Sequence, residues 1–296
     1  MKMNVINGFI LILAVALFAQ TYGIDRNHLF QSKDSRNEVH LEELSSTQAD
    51  VFLKETSNYL FINNFGVQFS FIHKPSASNS QIIYKGFLFG IHERSGLWKR
   101  LVLVEESNAV LCDYVFYSGE KFNVWKLNEE TSTFDLLSHQ QMNESIIDSI
   151  LFRPIDILMP YLQWNHYEYL GPSRMSLNSI VQQFSFTKSE EDLLSIEGID
   201  QVELSIDSKF NAIRKISYLK DGTVEKELSV AGFKKMKNVW FISRLNFKDL
   251  DSKESTVLKV SNSIEGSEEL DFQFFNPALP NTLNLDVFIK KSRLFE

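Results

Sequence analysis

Residues 143–164 read NESIIDSILFRPIDILMPYLQW, and they interrupt a chain that otherwise reads as strands. Ile146, Ile147, Ile150 and Leu151 recur at helical spacing. Asn143 is the candidate N-cap, with Glu144 in the first turn. Pro154 has no N–H and clashes with the preceding turn, so it predicts the end of that helix or a kink in it. Ile157, Leu158, Tyr161 and Leu162 then resume the period ahead of Trp164. Two readings follow. The pair of short helices is a plug packed into one end of a sheet, or it is a movable lid over an apolar cavity. Spacing alone favours the plug.

The flanking sequence alternates with period two. Val67 to Phe71 places an apolar residue at every second position, and Gln81 to Ile91 carries Phe87 and Phe89 on one face. Strands are also predicted over 98–105, 109–117 and 121–127. Beyond the helical stretch they are predicted at 167–170, which ends on Gly171-Pro172, and at 180–187, 201–206, 212–219, 223–233, 239–247 and 255–260. Asp221-Gly222 is the clearest hairpin turn. Residues 188–198 form an acidic, solvated excursion, and the tail DFQFFNPALPN folds back against the body. A helix over Thr47–Tyr59, capped by Thr47, precedes the first strand. Short polar connections imply antiparallel meanders. The fold class is mainly β (α+β): a strongly curved antiparallel sheet forming an open half-barrel, covered by a few helices.

The chain has 296 residues, 25 of them Phe, and a net charge of -8. No basic stripe is available to neutralise phosphates, so a nucleic-acid partner is not expected. Residues 1–23 read as a signal peptide: Lys2 at the start, an apolar run over Phe9–Ala19 too short to span a bilayer, and small residues Thr21 and Gly23 at its end. Residues 24–46 read as a polar arm, and 47–296 as one domain. The lone Cys112 excludes an intrachain disulfide and reads as a buried, inert thiol. No two of the six histidines are spaced i, i+4, and HExxH, CxxC, GxSxG and a Gly-rich phosphate loop are all missing. No metal, no cofactor and no enzymatic activity are expected. The adjacent acidic pairs Glu129-Glu130, Glu190-Glu191 and Glu268-Glu269 read as solvated charge. Asn143-Glu-Ser145 matches a glycosylation acceptor.

Four places carry a resemblance. They are the Phe-rich Val67–Phe71 after the first helix; Phe152–Leu162 followed by Tyr169-Leu-Gly-Pro172; Ile206–Ala212 running into Tyr218–Gly222; and Gly232-Phe-Lys-Lys with Asn238-Val-Trp240. In their order the chain resembles the outer-membrane lipoprotein-sorting family, the LolA-like periplasmic lipoprotein carriers. The resemblance implies a curved sheet wrapped around helices, with an apolar cavity for acyl chains. It implies a periplasmic monomer that takes a lipoprotein from an inner-membrane transporter and passes it to an outer-membrane acceptor. This chain is longer than the usual carrier, so another lipid client is also open. Arg153, beside the helix break, is the candidate match for the family's arginine. The candidate lipid-binding residues are Phe69, Phe71, Phe87 and Phe89 from the sheet, with Ile146, Ile150, Ile157, Leu158, Leu162 and Trp164 from the helices. Core packing is the competing reading of each. The alternative function is a sensor on the same scaffold, which binds a lipid signal or a regulatory protein partner and reports envelope stress.

Overall fold

The computed structural model describes residues 41–59, 64–76, 80–105, 107, 109–148, 150–176, 179–192, 194–209, 211–236, 239–265 and 272–278. The expected signal peptide, residues 24–40 of the arm, and the pair Glu268-Glu269 lie outside the described residues. Helix α1 (Ser46–Tyr59) comes first. Its cap is Ser45 rather than Thr47: the Ser45 N–H donates to Gln48 Oε1 (2.9 Å) and the Gln48 N–H to Ser45 Oγ (3.4 Å). This is a reciprocal capping box, which Thr47 is one turn position too late to make. The end of the arm is docked on the sheet, where the Leu44 N–H donates to Tyr169 Oη and the Glu42 carbonyl accepts from Gln182 Nε2.

Six strands then run as one meander: β1 (Phe65–Lys74), β2 (Ile82–Glu93), β3 (Gly96–Val104), β4 (Val110–Ser118), β5 (Phe122–Asn128) and β6 (Thr133–Leu136). Seven more form a second: β7 (His166–Ser176), β8 (Ser179–Thr187), β9 (Gln201–Asp207), β10 (Ile213–Lys220), β11 (Thr223–Met236), β12 (Val239–Asp249) and β13 (Ser255–Glu265). The two meanders join where β1 pairs with β13, giving one antiparallel sheet of 13 strands with β6 and β7 at its edges. The sheet is curved and open. The chain therefore leaves one edge at Leu136 and re-enters at the other edge at His166. Residues 137–165 make that crossing over the concave face.

The sequence explains the turns and edges. Asp221 (φ 49°) and Gly222 (φ 74°) both adopt the left-handed region, as a two-residue turn matched to strand twist requires. The break expected at Gly171-Pro172 is instead a bulge inside β7, which continues to Ser176. The register shifts at Tyr169/Gly171 and Arg174/Ser176 and the missing Pro172 N–H blunt this edge against pairing with another chain.

Both sheet faces are apolar in β2 and β3. On β3, Leu97, Leu101 and Leu103 enter the main core beneath the crossing, while Val102 and Val104 pack on the convex side. There they meet Phe87, Phe89 and Ile91 and are covered by Phe274 and Phe275 of a 3-10 helix, Phe272–Phe275. The expected return of the tail against the body thus takes place on the convex face. Arg100 anchors it. Its guanidinium makes a two-point pair with Asp113 (2.9 and 2.6 Å) and donates from Nη1 to the Phe274 carbonyl (2.6 Å). The guanidinium also lies over the Phe274 ring at 4.8 Å.

Gly86 and Gly90 give the concave face its room. A Cβ on Gly86 would fall within the Phe69 ring and 2.7 Å from Leu103 Cδ2, and one on Gly90 would meet the Phe65 ring. Gly86→Ala is expected to lower stability by about 1–3 kcal/mol through overpacking. In chemical denaturation a Phe69→Leu background should recover part of that loss. Additive effects in the double mutant would show that the ring is not the obstacle.

Candidate functional site

The crossing is built differently from the helix pair predicted for it. Ser138 caps a single turn, α2 (His139–Met142), by accepting from the Gln141 N–H, and Gln141 Oε1 accepts from the Ser138 N–H (2.8 Å). Asn143 is the C-cap of this turn, not the N-cap of a following helix. The described residues of 144–153 are irregular, and their backbone bonds are partly local, as from the Ile146 N–H to the Phe152 carbonyl (3.0 Å), and partly to side chains of the sheet. The Ile146 carbonyl accepts from Tyr114 Oη (3.1 Å), and the Leu151 N–H donates to Thr256 Oγ1 (3.0 Å), which also meets His73 Nδ1. Pro154 starts helix α3 (Pro154–Leu158) rather than ending one. The first helical position needs no N–H, so proline's defect costs nothing there. Met159, in the left-handed region at φ 52°, turns the chain into a 3-10 helix, Pro160–Gln163.

Eight of the ten candidate lining residues come together. Phe69, Phe71, Ile146, Ile150, Ile157, Leu158 and Trp164 are buried in one core, and Leu162 packs half-buried against it. Phe87 and Phe89 do not join them; they lie on the convex face under Phe274 and Phe275. Period two was read correctly in GFLFG, but the facing residues on the concave side are Gly86, Leu88 and Gly90. Leu88 is in the concave core, and Phe69 and Phe65 fill the space over the glycines.

An arc of rings crosses this core. Phe69 meets Phe71 (4.9 Å), Phe71 meets Phe152 (5.1 Å), and Phe152 meets Phe247 (5.0 Å). It continues through Tyr218 and Tyr161 to Phe186, each step at 6.1–6.2 Å between centroids. Phe152, Tyr161, Phe186, Tyr218 and Phe247 were not among the predicted lining. The alternation of Phe184 and Phe186 in IVQQFSFT was the available signal for the last strand pair.

Polar groups sit within this apolar setting. Asp156 accepts from the Arg153 N–H (2.9 Å), from Arg153 Nε (3.0 Å) and from Nη2 (2.8 Å), so one carboxylate both caps α3 and neutralises the guanidinium. Burial alone would lower the Arg153 pKa; the neighbouring Asp156 outweighs it and leaves the guanidinium raised. Arg153 therefore pairs within the crossing. The cation that bridges sheet and crossing is Lys99 of β3, fully buried, whose Nζ donates to the Ile157 carbonyl at 3.2 Å. Loss of water pushes its pKa well below the ordinary lysine value. The hydroxyls of Tyr161 and Tyr218 are buried beside each other, outside full hydrogen-bond geometry, with no other hydrogen-bond partner among the described residues. Cys112 is inert: burial, reinforced by Asp113, pushes its thiol up to about 12. No cluster of three or more metal-ligating residues occurs among the described residues.

The acidic excursion is not simply solvated. Glu190 and Glu191 are exposed, but Ile196 and Ile199 enter the main core. Its backbone clasps both ends of the crossing. His139 Nε2 donates to the Ser195 carbonyl (2.6 Å), the Glu197 N–H to Asn143 Oδ1 (2.9 Å), and Trp164 Nε1 to the Leu194 carbonyl (3.1 Å). Asn143 Nδ2 is also used, donating to the His139 carbonyl (3.0 Å), so the amide expected as a glycan acceptor is engaged at both atoms. A recess of about 610 Å³ opens beside this clasp, lined by His139, Lys188, Ile196, Ile199, Asp200 and Lys220 among others. Ile196 and Ile199 are the core residues at its floor.

No family model matches the sequence, and no curated protein matches it. Solved structures do share its fold. A domain assigned to outer membrane lipoprotein sorting, from Vibrio parahaemolyticus, matches with a TM-score of 0.62 at 12% identity, over 72% of this chain and 89% of that one. A DUF1329 family protein from Desulfovibrio piger gives 0.66 at 11% identity, over 78% and 95%. A LolA superfamily protein from Nitrosomonas europaea gives 0.57 at 14% identity, over 77% and 97%. This chain has the LolA-like fold. At these identities the likeness is one of architecture.

Lys99 gives a test of the buried charge. The unfolded chain holds the lysine proton up to its ordinary pKa, while the folded chain releases it at a lower pH. Folding stability must therefore rise with pH between the two values. Relative to wild type, Lys99→Met should be at its most stable at neutral pH and lose that advantage as pH approaches 10, measured by urea denaturation. A difference that does not change with pH would place the ammonium in contact with water.

Proposed function

We propose that the protein is an exported carrier. It shields the acyl chains of a lipoprotein or lipid beneath residues 137–165 and passes them between the inner and outer membranes. The observation that carries this reading is how the crossing is attached. It closes the concave face with apolar side chains, yet contributes no strand to the sheet. Among the described residues, its polar links to the strands beneath are individual bonds at Tyr114, Thr256 and Lys99, with one backbone bond from Leu137 to Val124 where it leaves the sheet. A cover held this way can be lifted while every strand pairing stays intact.

The energetics call for such a shield. A buried methylene is worth about 0.8 kcal/mol, so an ordinary acyl chain gains roughly 10 kcal/mol on leaving water. A client carrying such chains cannot diffuse freely through an aqueous compartment. A cover that shifts also lets the chain leave again, which a rigid core would not. On this reading residues 1–23 direct export to the periplasm, an inner-membrane transporter loads the carrier and an outer-membrane acceptor unloads it. The candidate lining is Phe69, Phe71, Ile146, Ile150, Ile157, Leu158, Leu162 and Trp164.

Mass spectrometry of lipids extracted from protein purified out of its native envelope tests the reading. Acyl species should co-purify, and a fluorescent acyl probe should bind the emptied protein. Leu162→Glu places a charge at a half-buried position of the crossing that a folded chain can tolerate. It should weaken probe binding at least tenfold with the circular dichroism spectrum unchanged. Absence of both co-purified acyl species and probe binding would leave residues 137–165 as a plug.

A further inference from the structure

We propose that Lys99 is an anchor for an anionic head group, so that the client of the concave face is an amphiphile bearing a carboxylate or phosphate beside its acyl chains. This deepens the carrier reading above and rests on it.

The placement comes from β-strand alternation. Lys99 lies between Leu97 and Leu101 on the concave side of β3, and its exposure is 0%. The other buried cations have carboxylates: Arg100 has Asp113 and Arg153 has Asp156. No carboxylate among the described residues is within ion-pair distance of Lys99 Nζ. An ammonium has three N–H donors. One is used, on the Ile157 carbonyl, and the Phe116 ring lies 5.6 Å beneath. A buried, unpaired ammonium is costly, and a methionine would fill the same space without that cost. Capping one carbonyl at the end of a five-residue helix needs a donor, not a charge.

The single partner is also on the part that moves. Ile157 belongs to the crossing, so lifting it strips Lys99 Nζ of its one hydrogen bond among the described residues at the moment the concave face opens. A carboxylate or phosphate oxygen entering with an acyl chain would replace that bond with a charge-assisted one, and the chain would lie along Leu97, Leu101 and Phe116. When the client leaves, the Ile157 carbonyl takes the ammonium back. A neutral acyl group gives Lys99 nothing in exchange.

The test compares palmitate with methyl palmitate, which differ only in the charge of the head, on the full exported chain at neutral pH. Wild type should bind palmitate at least tenfold more tightly than the ester. Lys99→Met should bind the two equally, with the preference for the charged head lost. Equal binding of both by wild type, or a preference that survives Lys99→Met, overturns the head-group assignment and leaves the carrier reading standing. Binding of neither overturns both. Inorganic phosphate is the control for a free anion: if it displaces palmitate from wild type at equal concentration, the site is for a small anion and the lipid assignment is overturned. As a readout that does not depend on the variant, lipids extracted from the native protein should be acidic species; neutral lipids alone would count against the assignment.

Discussion

One constraint organises this protein: an apolar concave face on an open sheet must be covered, and the chain covers it with the same segment that joins its two edges. The meander from β1 to β6 ends at one rim, and that from β7 to β13 starts at the other. Had the two halves been joined by a tight turn, the face would be bare. The crossing therefore carries two duties, connectivity and burial, which explains its composition. It is rich in Ile, Leu and aromatic residues because it faces core for most of its length. It is interrupted by Pro154, Met159 and Pro160 because a single straight helix does not follow a curved trough.

The convex face shows the same pressure answered from the other end of the chain. Phe87, Phe89, Val102 and Val104 would form an exposed apolar patch, and the Phe272–Phe275 segment covers it. Arg100 holds that cover by a main-chain carbonyl and an aromatic face while its charge is neutralised by Asp113. Each cover is thus held from the sheet by a buried cation on β3, at adjacent positions pointing to opposite sides. The difference between them is the counter-ion. Arg100 has one built in; Lys99 does not.

Much of this was legible before any coordinates, and the failures have physical causes. Alternation located most strands, and Asp221-Gly222 located its turn, because these signals are local. The short β6, TFDL, was missed because an edge strand with little burial carries little pattern. Ile146, Ile147 and Ile150 have helical spacing without a helix. The Ile146 carbonyl is taken by Tyr114 and the neighbouring Leu151 N–H by Thr256, and a tertiary partner that replaces the helical bond cannot be seen in sequence. The S-x-x-Q boxes at Ser45 and Ser138 were readable and show where the helices begin. Phe87 and Phe89 were assigned to the wrong company because GFLFG is apolar on both sides, and only the space needed by the Phe65 and Phe69 rings decides between them. Lys99 gave no signal at all, since lysine in a strand ordinarily marks the wet face.

The polar bonds of the crossing fall into two kinds, and the division bears on how it moves. Arg153 and Asp156 bond each other within one turn, so they travel together and their charge balance survives any displacement of α3. The bonds from Lys99, Tyr114 and Thr256 run between sheet and crossing and must break together when it lifts. The clasp from Ser195, Glu197 and Leu194 is of this second kind; the bonds to Ser195 and Glu197 lie at the surface, where water can replace them, and the Trp164–Leu194 bond is half-buried. The Lys99–Ile157 and Tyr114–Ile146 bonds lie inside the core, so solvent does not make up for their loss while the crossing stays close to the sheet. A ligand that supplied an acceptor at Lys99 would remove one of these polar costs of opening.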